Sequence, residues 1–177
     1  MQGNRHSYVY YALLSLLLAV VCFVQTSTPL VPELFGVRAM PAYIFMLCFA
    51  AFSGQGAAII AGLLLGIATD VCSAAPDGFN AVTMMVAGLL CSLLATYLFN
   101  ARLPAAAVLM GIFTALYYLL YWLVCVAFKG YDGVWLYLVR FSLPSAIYTW
   151  LFVFLFWPLV QFLSRQNLQT RKPTYLE

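Results

Sequence analysis

GLLLGIATDVCSAAPDGFN, residues 62–80, joins one apolar run to a short polar turn and then to a second apolar run. Gly62, Gly66 and Asp70 recur every four residues, so a helix would place them on one face. Pro76 cannot continue that helix, and Asp77-Gly78 is turn chemistry. The stretch therefore reads as the tip of a helical hairpin with apolar arms, and Asp70 sits about one turn from the tip.

The rest of the chain extends this pattern. Of 177 residues, 66% are hydrophobic and 7% charged, whereas a soluble domain is about one-quarter charged. That leaves too little polar surface to coat a globule in water, which points to a polytopic membrane protein. The expected fold is all-α, one integral membrane domain over 1–177. Six spans are predicted, at about 8–28, 41–53, 56–73, 79–99, 104–128 and 143–163. The second and third are short and meet at Ser53-Gly54-Gln55-Gly56, a glycine-containing turn that favours six spans over five.

Arg5, Arg102, Arg165, Arg171 and Lys172 fall on one side of these spans, and Arg38, Lys129 and Arg140 on the other. The bias predicts cytoplasmic termini. Four of the five acids, Glu33, Asp70, Asp77 and Asp132, then lie on or near the outer side. The first span follows Arg5 like a signal peptide, yet its apolar run is long and no Ala-x-Ala site follows, so retention as an anchor is expected. The net charge of +3 comes from flanking residues and carries no implication of nucleic acid. Cys22, Cys48, Cys72, Cys91 and Cys125 lack metal-ligand spacing and read as small apolar core residues.

Aromatic residues gather near span ends. Tyr8, Tyr10, Tyr11, Trp135 and Tyr137 read as headgroup-level anchors. Tyr117, Tyr118, Tyr121 and Trp122 sit deeper and cover more than one helix face, so part of that cluster is expected inside the bundle or against a partner. Residues 129–144, KGYDGVWLYLVRFSLP, predict turns, then a separate interfacial helix. Ser142 reads as the N-cap of the sixth span, with Pro144 in its first turn.

The chemistry-bearing residues are few. Gly62 and Gly66 let another backbone approach, either a neighbouring helix of the bundle or a partner. Asp70 is a structural clamp, a partner or ligand contact, or an acid. As a clamp it would accept hydrogen bonds from the backbone near Gly78 and Asn80, and Asp70→Asn would then retain folding where Asp70→Leu would not. A catalytic aspartate pair needs two carboxylates facing each other across a site, whereas Asp70 and Asp77 share one short loop. Ser53 has no helical base to activate it, because the sole histidine, His6, lies before the first span. No catalytic constellation, cofactor site or metal site is expected.

Gly62-x3-Gly66-x3-Asp70-x7-Gly78, followed by Asn80-Ala81, resembles the central signature of the MreD family, the rod shape-determining membrane proteins of bacteria. Size, six-span layout, the proline-containing entry to the second span and the short tail also match. The family's arginine commonly precedes that proline directly, whereas here Arg38 and Pro41 are three apart. The resemblance implies a non-enzymatic scaffold in the bacterial cytoplasmic membrane. It would bind MreC, in a complex with MreB, RodA and a class B penicillin-binding transpeptidase, and help position or regulate peptidoglycan synthesis. It also implies a fold similar to the substrate-binding component of energy-coupling-factor transporters.

That similarity supplies the alternative, a vitamin-capturing transporter component. Glu33, Arg38, Asp70 and Asn80 could converge on such a ligand. Against capture, the Ala-x-x-x-Ala docking face of such components is missing from the first span, where Ala12 and Ala19 do not match it, and metal capture would want more histidines than His6.

Overall fold

The computed structural model describes residues 37, 39–73, 76–98, 103–128 and 134–170, together with Leu16 and Val20. The predicted first span lies outside the described residues except at those two positions. So do Arg5, His6, Cys22, Glu33, Arg38, Arg102, Lys129, Asp132 and the tail from 171, and with them most of the charges read for orientation.

Seven α-helices and no sheet occur among the described residues. They are α1 (Pro41–Phe52), α2 (Gln55–Cys72), α3 (Phe79–Leu98), α4 (Leu103–Trp122), α5 (Val134–Tyr137), α6 (Leu143–Leu151) and α7 (Val153–Thr170). One π-helical turn, Leu123–Ala127, prolongs α4, and another, Leu138–Ser142, joins α5 to α6. Among the described residues, three helical stretches are long and apolar enough to cross a membrane: Gln55–Cys72, Pro104–Ala127 and Val134–Ser164. Pro41–Phe52 and Phe79–Ala95 are apolar but shorter.

Helix α1 is apolar on every side, and such a helix belongs in the middle of a bundle. Every residue from Pro41 to Ala50 is buried, with α2, α3, α4, α6 and α7 packed around it. Pro41 opens the helix, where its missing N–H is not needed. The Met40 N–H donates to Thr149 Oγ1 at 3.0 Å, and Tyr118 Oη lies 2.9 Å from the same oxygen. One threonine thus ties the start of α1 to α4 and α6. As predicted, the chain breaks at Ser53-Gly54, and the Ser92 hydroxyl donates to the Ser53 carbonyl at 3.0 Å.

Helices α2 and α3 form the most closely packed pair among the described helices. Glycine makes this possible. A Cβ placed on Gly62 would lie 2.5 Å from the Met84 carbonyl oxygen, and one on Gly66 would lie 2.4 Å from Ala81 Cα. Gly88 returns the favour from α3, where a Cβ would meet the Ala58 oxygen at 2.9 Å. Two backbones this close gain dispersion and leave no room for lipid between them.

The sixth span departs from expectation. Ser142 makes no side-chain cap and lies inside a continuous helical path that starts at Val134. Two effects explain it. The run VWLYLVRF supplies nothing to stop a helix, and the π-helical turn before Pro144 relieves the clash of its ring with the preceding carbonyl. The apolar stretch is therefore 31 residues long, about 46 Å at 1.5 Å per residue.

Candidate functional site

The signature residues meet at the tip of the α2–α3 hairpin. Phe79 N–H donates to the Pro76 carbonyl at 3.0 Å, closing a turn around Asp77 and Gly78. Gly78 has φ of 81°, the single positive φ among the described glycines, and a turn with that value at its third position takes glycine without strain. The turn launches α3 with its first N–H groups aimed back at α2.

Asp70 accepts those groups. The Asn80 N–H donates to Asp70 Oδ1 at 3.0 Å and the Ala81 N–H to Oδ2 at 3.0 Å. A helix leaves its first N–H groups without intrahelical partners, and its N-terminus favours a nearby anion. Asp70 therefore caps a helix to which it does not belong. The unfavourable end of its own helix is offset by the favourable end of the next.

Asn80 extends the knot and is 0% exposed. Its Nδ2 donates to Ser73 Oγ at 2.9 Å, at the end of α2. Its Oδ1 accepts from the Tyr117 hydroxyl on α4 at 2.7 Å. Tyr117 in turn stacks on Tyr43 of α1, with ring centroids 4.8 Å apart, and the Tyr43 hydroxyl donates to the Phe113 carbonyl at 3.2 Å. Four helices are joined through one amide and two phenols. In a low-dielectric surrounding each such bond is strong and each orphaned group costly. Replacing Tyr117 by Phe should lower stability by about 1–3 kcal/mol, because it leaves a buried amide oxygen unpaired. The check is the thermal midpoint of the purified protein, with Tyr137→Phe at an exposed position expected to leave it unchanged.

The structure brings Asp70, Gly78 and Asn80 together and places Gly62 and Gly66 below them, against α3. The close approach that the two glycines permit is used within the chain, against the α3 backbone. The doubly accepting geometry of Asp70 also changes the expectation for Asp70→Asn: an amide offers one acceptor, and its NH2 would face a second donor.

The sequence pattern pointed to Tyr117 as one of four deep aromatics but not to its bond with Asn80, and it did not point to Tyr43, Ser73 or Thr149. A tyrosine deep in a span needs a hydroxyl partner, and that was the available signal for Tyr117. Of the deep aromatic cluster, Tyr117 and Trp122 are buried and Tyr118 and Tyr121 half-buried, while Trp135 and Tyr137 are exposed. Cys48, Cys91 and Cys125 are buried thiols outside any disulfide, and Cys72 is exposed. No group of metal-ligating side chains occurs among the described residues.

The sequence model of a protein family described as "MreD: rod shape-determining protein MreD" matches residues 6–167, nearly the whole chain. Comparison with curated proteins and with solved structures gave no match.

Proposed function

Because the chain belongs to the MreD family of rod shape-determining proteins, its role lies in setting rod shape from the membrane, and we propose that it acts there as a non-enzymatic scaffold. The scaffold binds MreC and stands beside RodA, a class B penicillin-binding protein and MreB, where it helps position or regulate peptidoglycan synthesis. It crosses the cytoplasmic membrane six times with both termini inside, so that the Asp70–Asn80 knot lies at the outer boundary.

The observation that carries this reading is how the polar groups of the signature are used. Both Asp70 oxygens and both ends of the Asn80 amide bond within the chain. Catalysis or vitamin capture would want these groups turned toward a ligand. Internal pairing instead stiffens a bundle whose outward surface is apolar, which suits a protein that works by holding others.

The test is affinity purification of the tagged chain from its native membrane in mild detergent, with bound proteins identified by mass spectrometry. MreC with the elongation synthases is the expected recovery. An ATPase pair with its transmembrane coupling subunit would overturn the reading.

A further inference from the structure

The described helices fall into two bodies, told apart by how each is held together. Helices α1, α2, α3 and α7 form the first. Within it α2 and α3 meet backbone to backbone. The ring pairs Phe45–Phe156 and Phe52–Trp157 tie α1 to α7, with centroids 5.4 and 4.8 Å apart. Helices α4, α5 and α6 form the second, an arm with bonds of its own. Trp150 Nε1 donates to the Ala107 carbonyl at 2.8 Å, and Trp122 Nε1 to the Val134 carbonyl at 2.9 Å. Tyr118 Oη lies 2.9 Å from Thr149 Oγ1. Gly111 makes room for the Trp150 ring, since a Cβ there would lie 3.0 Å from Nε1. Trp122, Cys125 and Val126 give the arm a small core apart from the main one.

The seam between the two bodies is built differently. Among the described residues α4 packs closely on α6 but approaches α1, α3 and α7 sparsely. Met110, Phe113 and Tyr117, buried side chains of α4, reach across instead. A cleft of about 170 Å³ opens between α3 and α4, with Tyr43, Ala87, Phe113 and Tyr117 in its walls. Close-packed interfaces leave few gaps larger than one water, so this seam is not packed shut.

Directional bonds close it. The Tyr117 hydroxyl donates to Asn80 Oδ1 at 2.7 Å, the Tyr43 hydroxyl to the Phe113 carbonyl at 3.2 Å, and the Met40 N–H to Thr149 Oγ1 at 3.0 Å. Apolar contacts are non-directional and tolerate sliding, whereas a hydrogen bond weakens steeply once its angle is lost. Three bonds in one seam therefore define a single closed position.

The chain also has a place to bend where it leaves the arm. Helix α6 ends at Leu151 and α7 begins at Val153. Between them the Phe152 N–H turns back to the Thr149 carbonyl at 3.2 Å, and the Leu155 N–H to the Phe152 carbonyl at 3.1 Å. These are three-residue steps, and such a tightened turn inside a helical path marks a hinge. Pro158, inside α7, removes one further N–H from the ladder just beyond.

From these observations we propose that α4, α5 and α6 form a hinged arm, which swings about Phe152 to open the α3–α4 seam, and that the three bonds are the latch that holds it shut. Opening breaks Tyr117 from Asn80 but leaves the Asp70 and Ser73 bonds intact, because those lie wholly within the first body. The hairpin tip thus stays folded while the arm moves. Anything that binds one position better than the other shifts the balance between them. The inference does not depend on which partner the protein holds.

The test measures distances across and within the two bodies. p-Acetylphenylalanine is placed in pairs at exposed sites and coupled to a hydroxylamine nitroxide, which leaves the cysteines untouched. Double electron–electron resonance is then recorded in lipid nanodiscs. Ile67 with Val139 spans the seam, Val108 with Val139 lies within the arm, and Ile60 with Leu155 lies within the first body. A second, displaced distance is expected across the seam alone. Tyr117→Phe and, separately, Tyr43→Phe should each raise its share relative to the closed one by about three- to tenfold, the ratio that one net hydrogen bond sets. The two internal pairs should keep their wild-type distances. One narrow seam distance in the wild type and in both variants would overturn the arm. Broadening of all three pairs together would overturn it too, since the bonds would then hold the whole fold rather than one position.

Discussion

Gly66→Ala should lower the thermal midpoint of the purified protein by more than alanine at any other described glycine. The added Cβ would lie 2.4 Å from Ala81 Cα, 2.5 Å from the Asn80 oxygen and 2.7 Å from the Ala81 nitrogen. All three are backbone atoms of α3, so no side chain can swing aside. Relief requires α2 and α3 to separate, and separation pulls the Asp70 carboxylate away from the N–H groups it caps. Overpacking alone costs typically 1–3 kcal/mol, and the lost cap adds about another 1 kcal/mol. Gly66→Leu should prevent recovery of folded protein altogether. The control is Gly56→Ala, where a Cβ meets nothing within 4 Å and where alanine is the better helix former. Equal midpoints for Gly66→Ala and Gly56→Ala would show that the close approach is not what holds the hairpin.

Asp70 gives the second large effect, and it grades by acceptor number. Asp70→Leu removes both acceptors and leaves two N–H groups of α3 unpaired, at a cost of about 2–4 kcal/mol. Asp70→Asn keeps one acceptor but turns an amide N–H toward a donor. It should fall between wild type and leucine in midpoint and in monodisperse yield. Asp70→Glu keeps the charge and both oxygens but adds a methylene to a site already spanned at 3.0 Å, so it should also be weaker than wild type. An Asn variant as stable as wild type would mean that only one of the two bonds matters.

Membrane class, the break at Ser53-Gly54 and the hairpin tip at residues 73–78 were legible because each rests on local chemistry: apolar length, glycine and proline. The clamp role of Asp70 was also within reach, since a carboxylate at the end of an apolar helix must find donors and the nearest lay just past Gly78. Two things were not legible. The Asn80–Tyr117 bond joins positions 37 apart in sequence, and no periodicity reports which of four deep aromatics turns inward. The continuity of α5 with α6 depends on a π-helical turn, whose one extra residue per turn leaves a serine and a proline looking like a helix start.

The short central helix bears on how the protein is made. At 12 residues, α1 is about 18 Å long against roughly 30 Å of hydrocarbon, so its proposed crossing can be completed only inside the bundle that surrounds it. Its hydropathy favours leaving the translocation channel, but its length leaves both ends without a satisfactory place in the bilayer. The α2–α3 hairpin can shelter one side of it as soon as that hairpin is synthesised. The opposite side packs on α7, more than a hundred residues later. Assembly must therefore carry a half-covered α1 until the end of the chain emerges, and a ribosome stalled or truncated before Val153 leaves in the membrane a segment that quality-control proteases can recognise.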